Sequence, residues 1–129
     1  MEEIKLLHDK AENFIKATQI LIATEQYDSA ASRSYYAMFT MTQAILLTQN
    51  YSFNTHSGLI SKFSELFIKT NIFPKEFGRY LSKAFDKRSK GDYDIYSTID
   101  KELAENLLQT AILFNNTLKI YLEENGFLE

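Results

Sequence analysis

Residues 34–61, SYYAMFTMTQAILLTQNYSFNTHSGLIS, contain no Asp, Glu, Lys or Arg, in a chain that is otherwise well supplied with charge. The longest wholly apolar run inside the stretch is Ala44 to Leu47, and Thr40, Thr42, Gln43, Thr48, Gln49 and Asn50 interrupt the rest. A membrane span needs about 20 predominantly apolar residues, so this is not one. The reading that remains is a helix covered by protein on most of its sides. Ala30, Ser34, Ala37, Met41 and Ala44 fall on one side, small enough for a neighbouring helix to come close. Tyr35, Tyr36, Phe39, Ile45 and Leu46 spread over the others. Five helices of one chain would struggle to cover such a surface, so a homodimer is expected, with this helix at the contact.

Working outward, Ile4, Leu7, Ala11, Phe14, Thr18 and Leu21 recur at steps of three and four, which predicts a helix from about Glu2 to Ala23. A tight connection at Thr24-Glu25-Gln26 leads into the second helix, from Asp28 to about Gln49. Asn50 to Thr55 reads as a loop, with Asn54 or Thr55 as N-cap of a third helix carrying Leu59, Ile60, Phe63, Leu66 and Phe67. Pro74 suits the first turn of a fourth helix, where a missing N–H costs nothing, and Phe77, Leu81, Ala84 and Phe85 make its apolar stripe. The pattern breaks from Gly91 to Tyr96. Ser97 or Thr98 then starts a fifth helix with Leu103, Leu107, Ala111, Phe114, Leu118 and Tyr121 in register. No repeat or linker divides the chain. The expectation is a single all-α domain over residues 1–129, an up-and-down bundle of four long helices and one shorter one.

Composition agrees. Average usage would give a chain of this length about nine glycines and about six prolines; this one has four and one. Sandwiches, propellers and barrels consume turn residues at a far higher rate. The four glycines stand alone, so no phosphate-cradling loop can be written from them. Without cysteine there is no disulfide framework, thiol nucleophile or cysteine-bound metal. His-x-x-x-His and Glu-x-x-His are both absent, which leaves zinc-protease and di-iron readings unsupported; no metal and no cofactor are expected. The opening Met1-Glu2-Glu3-Ile4-Lys5 is acidic where a secretory leader is basic and then apolar, so a cytoplasmic location away from membranes is expected.

Two arginines fall where apolar residues are expected. Arg33 lies beside the small-residue strip, and Arg88 continues the stripe of Phe77, Leu81 and Phe85. A buried guanidinium needs a carboxylate or an anionic ligand, with Asp28, Asp92 and Asp94 as nearby partners. Lys87 belongs to a basic run between positions 75 and 90, six cations against Glu76 and Asp86, that suits phosphates, an acidic partner or plain solvation. Of the two histidines, His8 reads as an exposed bystander, and His56 opens the third helix in a packing or capping position.

Taken together, the motifs are similar to those of the HEPN (higher eukaryotes and prokaryotes nucleotide-binding) family. Ala30-x-x-Arg33-x-Tyr35-Tyr36-Ala37-x-Phe39, followed by Ala44-x-Leu46-Leu47, resembles its second-helix signature. His56 ahead of Leu59, Ile60 and Phe63, then Arg88-x-x-x-Asp92-Tyr93, then Ala111-x-x-Phe114, follow in the family's order. The resemblance implies a homodimeric bundle that binds a nucleotide or RNA, often beside a minimal nucleotidyltransferase in a toxin–antitoxin type two-gene module. It places Arg33, Tyr36, Lys87 and Asp92 as ligand-binding residues. Catalytic relatives are metal-independent ribonucleases with an Arg-x(4–6)-His motif; here Tyr93 stands at that spacing from Arg88, so a catalytic site would be a variant of Arg88, Tyr93 and His56. Unperturbed tyrosine titrates near 10 and is a weak base at neutral pH, so a binding role ranks above ribonuclease activity. A tetratricopeptide-like interaction module, suggested by the Gln26-Tyr27-Asp28 turn, ranks last because no repeat supports it.

Overall fold

The computed structural model describes residues 2–96 and 99–129. Its elements are α1 (Glu2–Ala23), α2 (Tyr27–Leu47), α3 (His56–Phe63), α4 (Glu76–Tyr93) and α5 (Lys101–Glu124). The last turn of α3 widens into a π-helical turn over Ser64–Ile68, which the sequence pattern does not announce. The architecture is the expected all-α up-and-down bundle, with α3 as the short helix.

Helix α2 is its axis. It packs against α1, α4 and α5, and 14 of its 21 residues are buried. The expected dimer contact is therefore not what buries this helix. One chain suffices, because α1, α4 and α5 surround it and its small residues let them approach closely. Asn115 of α5 donates Nδ2 to the carbonyl of Ala37 at 3.1 Å, tying two central helices through the core. An aromatic cluster of Phe63, Phe67, Phe73, Phe77, Phe114 and Tyr121 fills one end, and Ala30, Ala31, Ile99, Ala104 and Leu107 form a smaller core at the other. At α1, His8 is buried rather than exposed, with Nε2 3.0 Å from the Glu12 carboxylate.

Scarce glycine does not mean scarce turns. Glu25, Asn50 and Asn71 each take a positive φ of 60–64° just after a helical segment. Behind Glu25 and Asn50 the next amide reaches back to close the end, Gln26 N–H to Leu21 O at 2.8 Å and Tyr51 N–H to Leu46 O at 3.1 Å. Glycine usually occupies that left-handed position, and Asn is its common substitute. The Thr55 hydroxyl caps α3 by accepting from the Gly58 amide, as one of the two expected caps. The expected start of the last helix, Ser97 or Thr98, lies outside the described residues; α5 begins at Lys101, where the Asp100 carboxylate accepts from the Leu103 amide at 2.9 Å.

The end of α4 departs from the sequence pattern. Gly91 does not break the helix, which runs on to Tyr93. A Cβ at Gly91 would lie 2.8 Å from the Asp28 carbonyl and 3.3 Å from its Cα, so the missing side chain lets α4 rest directly on the first turn of α2.

Candidate functional site

That contact brings two polar faces together. On α2, Ser29, Ser32, Arg33 and Tyr36 recur at the helical spacing, and on α4, Arg88, Asp92 and Tyr93 oppose them. They line a cleft of about 340 Å³. Arg88 Nη2 donates to the Tyr36 hydroxyl at 2.7 Å. Its Nε lies 3.1 Å from the Asp92 carboxylate, an ion pair by distance, although the N–H is not aligned on the oxygen. Asp92 also accepts from the Ser32 hydroxyl at 3.2 Å. Burial works against the Arg88 charge, but the Tyr36 hydroxyl and the nearby Tyr93 and Asp92 outweigh it, and the pKa moves up. The guanidinium is therefore a fixed cation, stacked at 5.3 Å on the Tyr36 ring and 5.6 Å on the Tyr93 ring.

The Arg88–Asp92 pair spans one turn of helix. It forms only because α4 continues through Gly91, so the residue that the sequence marked as a break is what places the pair. Of the carboxylates named as partners for Arg88, Asp92 pairs with it. Arg33 lines the same cleft but is exposed, its guanidinium 5.9 Å from the Phe14 ring, where the sequence suggested burial. Lys87 is half-buried and does not line the cleft. Tyr93 is 75% exposed at the mouth and begins a run with Ile95 at 88% and Tyr96 at 82%. Ser29 and Ser32 were not anticipated; the signal for them was a polar stripe of helical period on an otherwise buried helix.

His56 lies elsewhere. Its Nδ1 is hydrogen-bonded to the hydroxyl of Tyr35, which is fully buried. The imidazole packs against Tyr35, Phe39 and Phe85, with centroids 5.3, 5.2 and 4.5 Å away. Burial, and then the charge of Arg88, lower its pKa below the ordinary histidine value. Burial pushes the Tyr35 phenol up, against the opposing pull of Arg88, so the hydroxyl keeps its proton beside Nδ1. Tyr35 and Tyr36 thus divide the work, one holding His56 and the other Arg88. Arg88, Tyr93 and Asp92 come together in one cleft, and His56 faces another. Among the described residues, no group of three or more His, Asp or Glu side chains is placed to hold a metal ion, and no helix is long and apolar enough to cross a membrane.

The arrangement has relatives. The family model described as HEPN domain matches residues 4–121, nearly the whole chain. The chain belongs to the HEPN family. This HEPN chain is 39% identical over 98% of its length to a protein of Methanocaldococcus jannaschii named "Putative toxin MJ0142", covering 86% of that protein. A second protein of the same organism, "Putative toxin MJ0605", is 33% identical over 95% of the chain and 91% of its own length. A Thermotoga maritima protein named UPF0332 protein is 30% identical over 89% of the chain and 87% of its own length. The Arg88 cleft and its partners Tyr36, Asp92 and Tyr93 lie inside the matched region of the HEPN domain.

Proposed function

We propose that this HEPN chain binds the phosphate of a nucleotide or of RNA in the Arg88 cleft, as a toxin-like member of a toxin–antitoxin type two-gene module. The observation that carries this is the Arg88 guanidinium, a cation held in the cleft by its bond to Tyr36, with the exposed Arg33 on the same wall. Phosphate oxygens are the natural acceptors for such a fork. Arg33 adds a second positive charge, and Ser29 and Ser32 add hydroxyls, on the same wall. Two relatives carry the word toxin in their names, which supports the module. On this reading the protein is cytoplasmic and a homodimer, supported by Leu6 and Ile20 on α1 and Leu113 and Ile120 on α5, all more than half exposed. A minimal nucleotidyltransferase is its proposed protein partner; a gene for one beside this one is the observation that would support it.

The test is equilibrium binding of a short single-stranded RNA to wild type and Arg88→Gln. Loss of one charge-assisted, desolvated contact predicts at least a tenfold weaker complex, roughly the 1.5–3 kcal/mol of a hydrogen bond to a charged group. Equal binding by the two proteins overturns the assignment.

A second reading, metal-independent ribonuclease, is favoured by one observation: Tyr93 stands against Arg88 at the cleft mouth and is mostly exposed. Against it, His56 faces another cleft and is bonded to Tyr35. Purified protein is expected to leave RNA intact in chelator. Cleavage in chelator that disappears in both Arg88→Gln and Tyr93→Phe would reverse the order of the two readings.

A further inference from the structure

A second, wider cleft of about 800 Å³ is linked to the Arg88 cleft through Tyr35, bonded to His56, and Tyr36, bonded to Arg88, whose rings lie 5.6 Å apart. It is lined by Asn54, His56, Ser57, Ile60, Ser61 and Phe85. We propose that this cleft is a nucleobase subsite, taking the base of the nucleotide unit whose phosphate meets Arg88. The inference rests on the phosphate reading for its orientation, and on the cleft's own chemistry for the base.

The walls differ in kind. The Arg88 cleft is bounded by cations, hydroxyls and a carboxylate. The His56 cleft has no charged side chain among its lining residues, so it suits the uncharged end of an amphipathic ligand. Its floor is aromatic: the Phe85 and His56 rings lie 4.5 Å apart with a 37° tilt. Bases stack on such rings with little regard to sequence, because every base has a π face. The His56 ring is fixed in place by its bond to Tyr35 and by three aromatic neighbours, so a base meeting it does not have to order it first.

The rim supplies edge contacts. Asn54 offers both a donor and an acceptor, and Ser57 and Ser61 offer hydroxyls. With Nδ1 occupied by Tyr35, Nε2 is the imidazole nitrogen outside that bond. A neutral imidazole also avoids placing a second cation beside Arg88. These groups match the exocyclic oxygens and ring nitrogens of a base.

Neighbouring positions support one ligand across both clefts. Phe85 lines one cleft and Arg88 the other, three residues apart on α4 and so within one turn of the same helix.

The test uses the histidine count. With His8 and His56 the only two in the chain, nitrogen-detected NMR reports on His56 with His8 as an internal reference. Adenosine is expected to shift His56 alone, ribose 5-phosphate to shift the Arg88 Nε–H alone, and adenosine monophosphate to shift both. Phe85→Leu should weaken adenosine monophosphate roughly tenfold, about the loss of one base–aromatic stack, and leave ribose 5-phosphate unchanged. Phe85→Tyr keeps a ring and should keep the affinity, which separates lost stacking from a disturbed fold. A single-stranded oligoadenylate should shift His56 as well; tighter binding by the oligomer assigns the unit to RNA, tighter binding by the monomer to a free nucleotide. A His56 signal unmoved by adenosine, adenosine monophosphate and oligomer overturns the inference, as does equal affinity for adenosine monophosphate and ribose 5-phosphate. If adenosine moves His56 while ribose 5-phosphate leaves Arg88 unmoved, the phosphate reading fails and the base cleft stands.

Discussion

The two clefts are linked by one pair of tyrosines and share little else. The Arg88 side is polar and paired, with an arginine, a carboxylate, the Ser32 hydroxyl and a tyrosine hydroxyl knitted across α2 and α4. The His56 side is aromatic and uncharged, with one polar bond at its base. The difference teaches how a mostly buried helix can serve two chemistries. Successive residues on a helix point about 100° apart, so Tyr35 and Tyr36 deliver hydroxyls to different sides of α2. α2 brings Arg33 to the polar side, and α4 brings Arg88 and Asp92.

The largest expected effect comes from removing the buried half of that link. Tyr35 is fully buried among Tyr36, Phe39, His56 and Phe85, so Tyr35→Ala should cost about 3–5 kcal/mol in urea unfolding, as for other buried aromatics. A loss below about 1 kcal/mol would break the comparison, since the two clefts would then not depend on one ring.

Next in size is Gly91→Ala, which addresses the Arg88 side alone. Alanine favours a helix over glycine by about 1 kcal/mol. Here its Cβ would meet backbone, the Asp28 carbonyl at 2.8 Å, and backbone cannot swing away as a side chain can. The clash should win, with a net destabilisation of about 1–3 kcal/mol and a weakened Arg88–Asp92 pair. The NMR signals of His56 should stay where they are. Movement of both sites, or a more stable protein, would show that α4 does not rest on α2 in this way.

The smallest effect is a pH dependence confined to the His56 side. In the fold the His56 pKa is lowered, by burial first and Arg88 second. Below about 6.5 the unfolded chain therefore binds a proton at this residue that the folded chain refuses. Stability should fall as pH drops from about 6.5 toward the folded pKa, and His56 should contribute nothing above that range. The measurement is the urea midpoint between about pH 7 and pH 5 for wild type and His56→Gln. A shallower decline in the variant is expected; equal slopes would mean that the imidazole is not held neutral.

Much of the molecule was legible along the chain, and the gaps have physical causes. The stripes of α1, α4 and α5 follow from local spacing, which also narrowed the cap of α3 to Asn54 or Thr55 and the partner of Arg88 to three aspartates; the structure selects Thr55 and Asp92. Gly91 was misleading because glycine has two uses, breaking a helix and admitting a close neighbour, and only the neighbour's position separates them. Arg33 and His8 exchanged expected environments, one exposed and the other buried, because both sit at the edges of their helical stripes, where a small rotation decides exposure. Ser29, Ser32 and Phe85 are ordinary residues until two helices face each other.

What the sequence determined by itself was the class and the register. A chain poor in glycine and proline, with apolar residues at steps of three and four, has to bury helical stripes, and its motifs carried the family with them. What the tertiary structure decided was which polar groups meet. The bond from Tyr35 to His56 spans 21 positions and that from Arg88 to Tyr36 spans 52. No local periodicity encodes such distances. They follow from α2 standing at the centre, so that α3 and α4 close on it and two neighbouring tyrosines link the residues of two clefts.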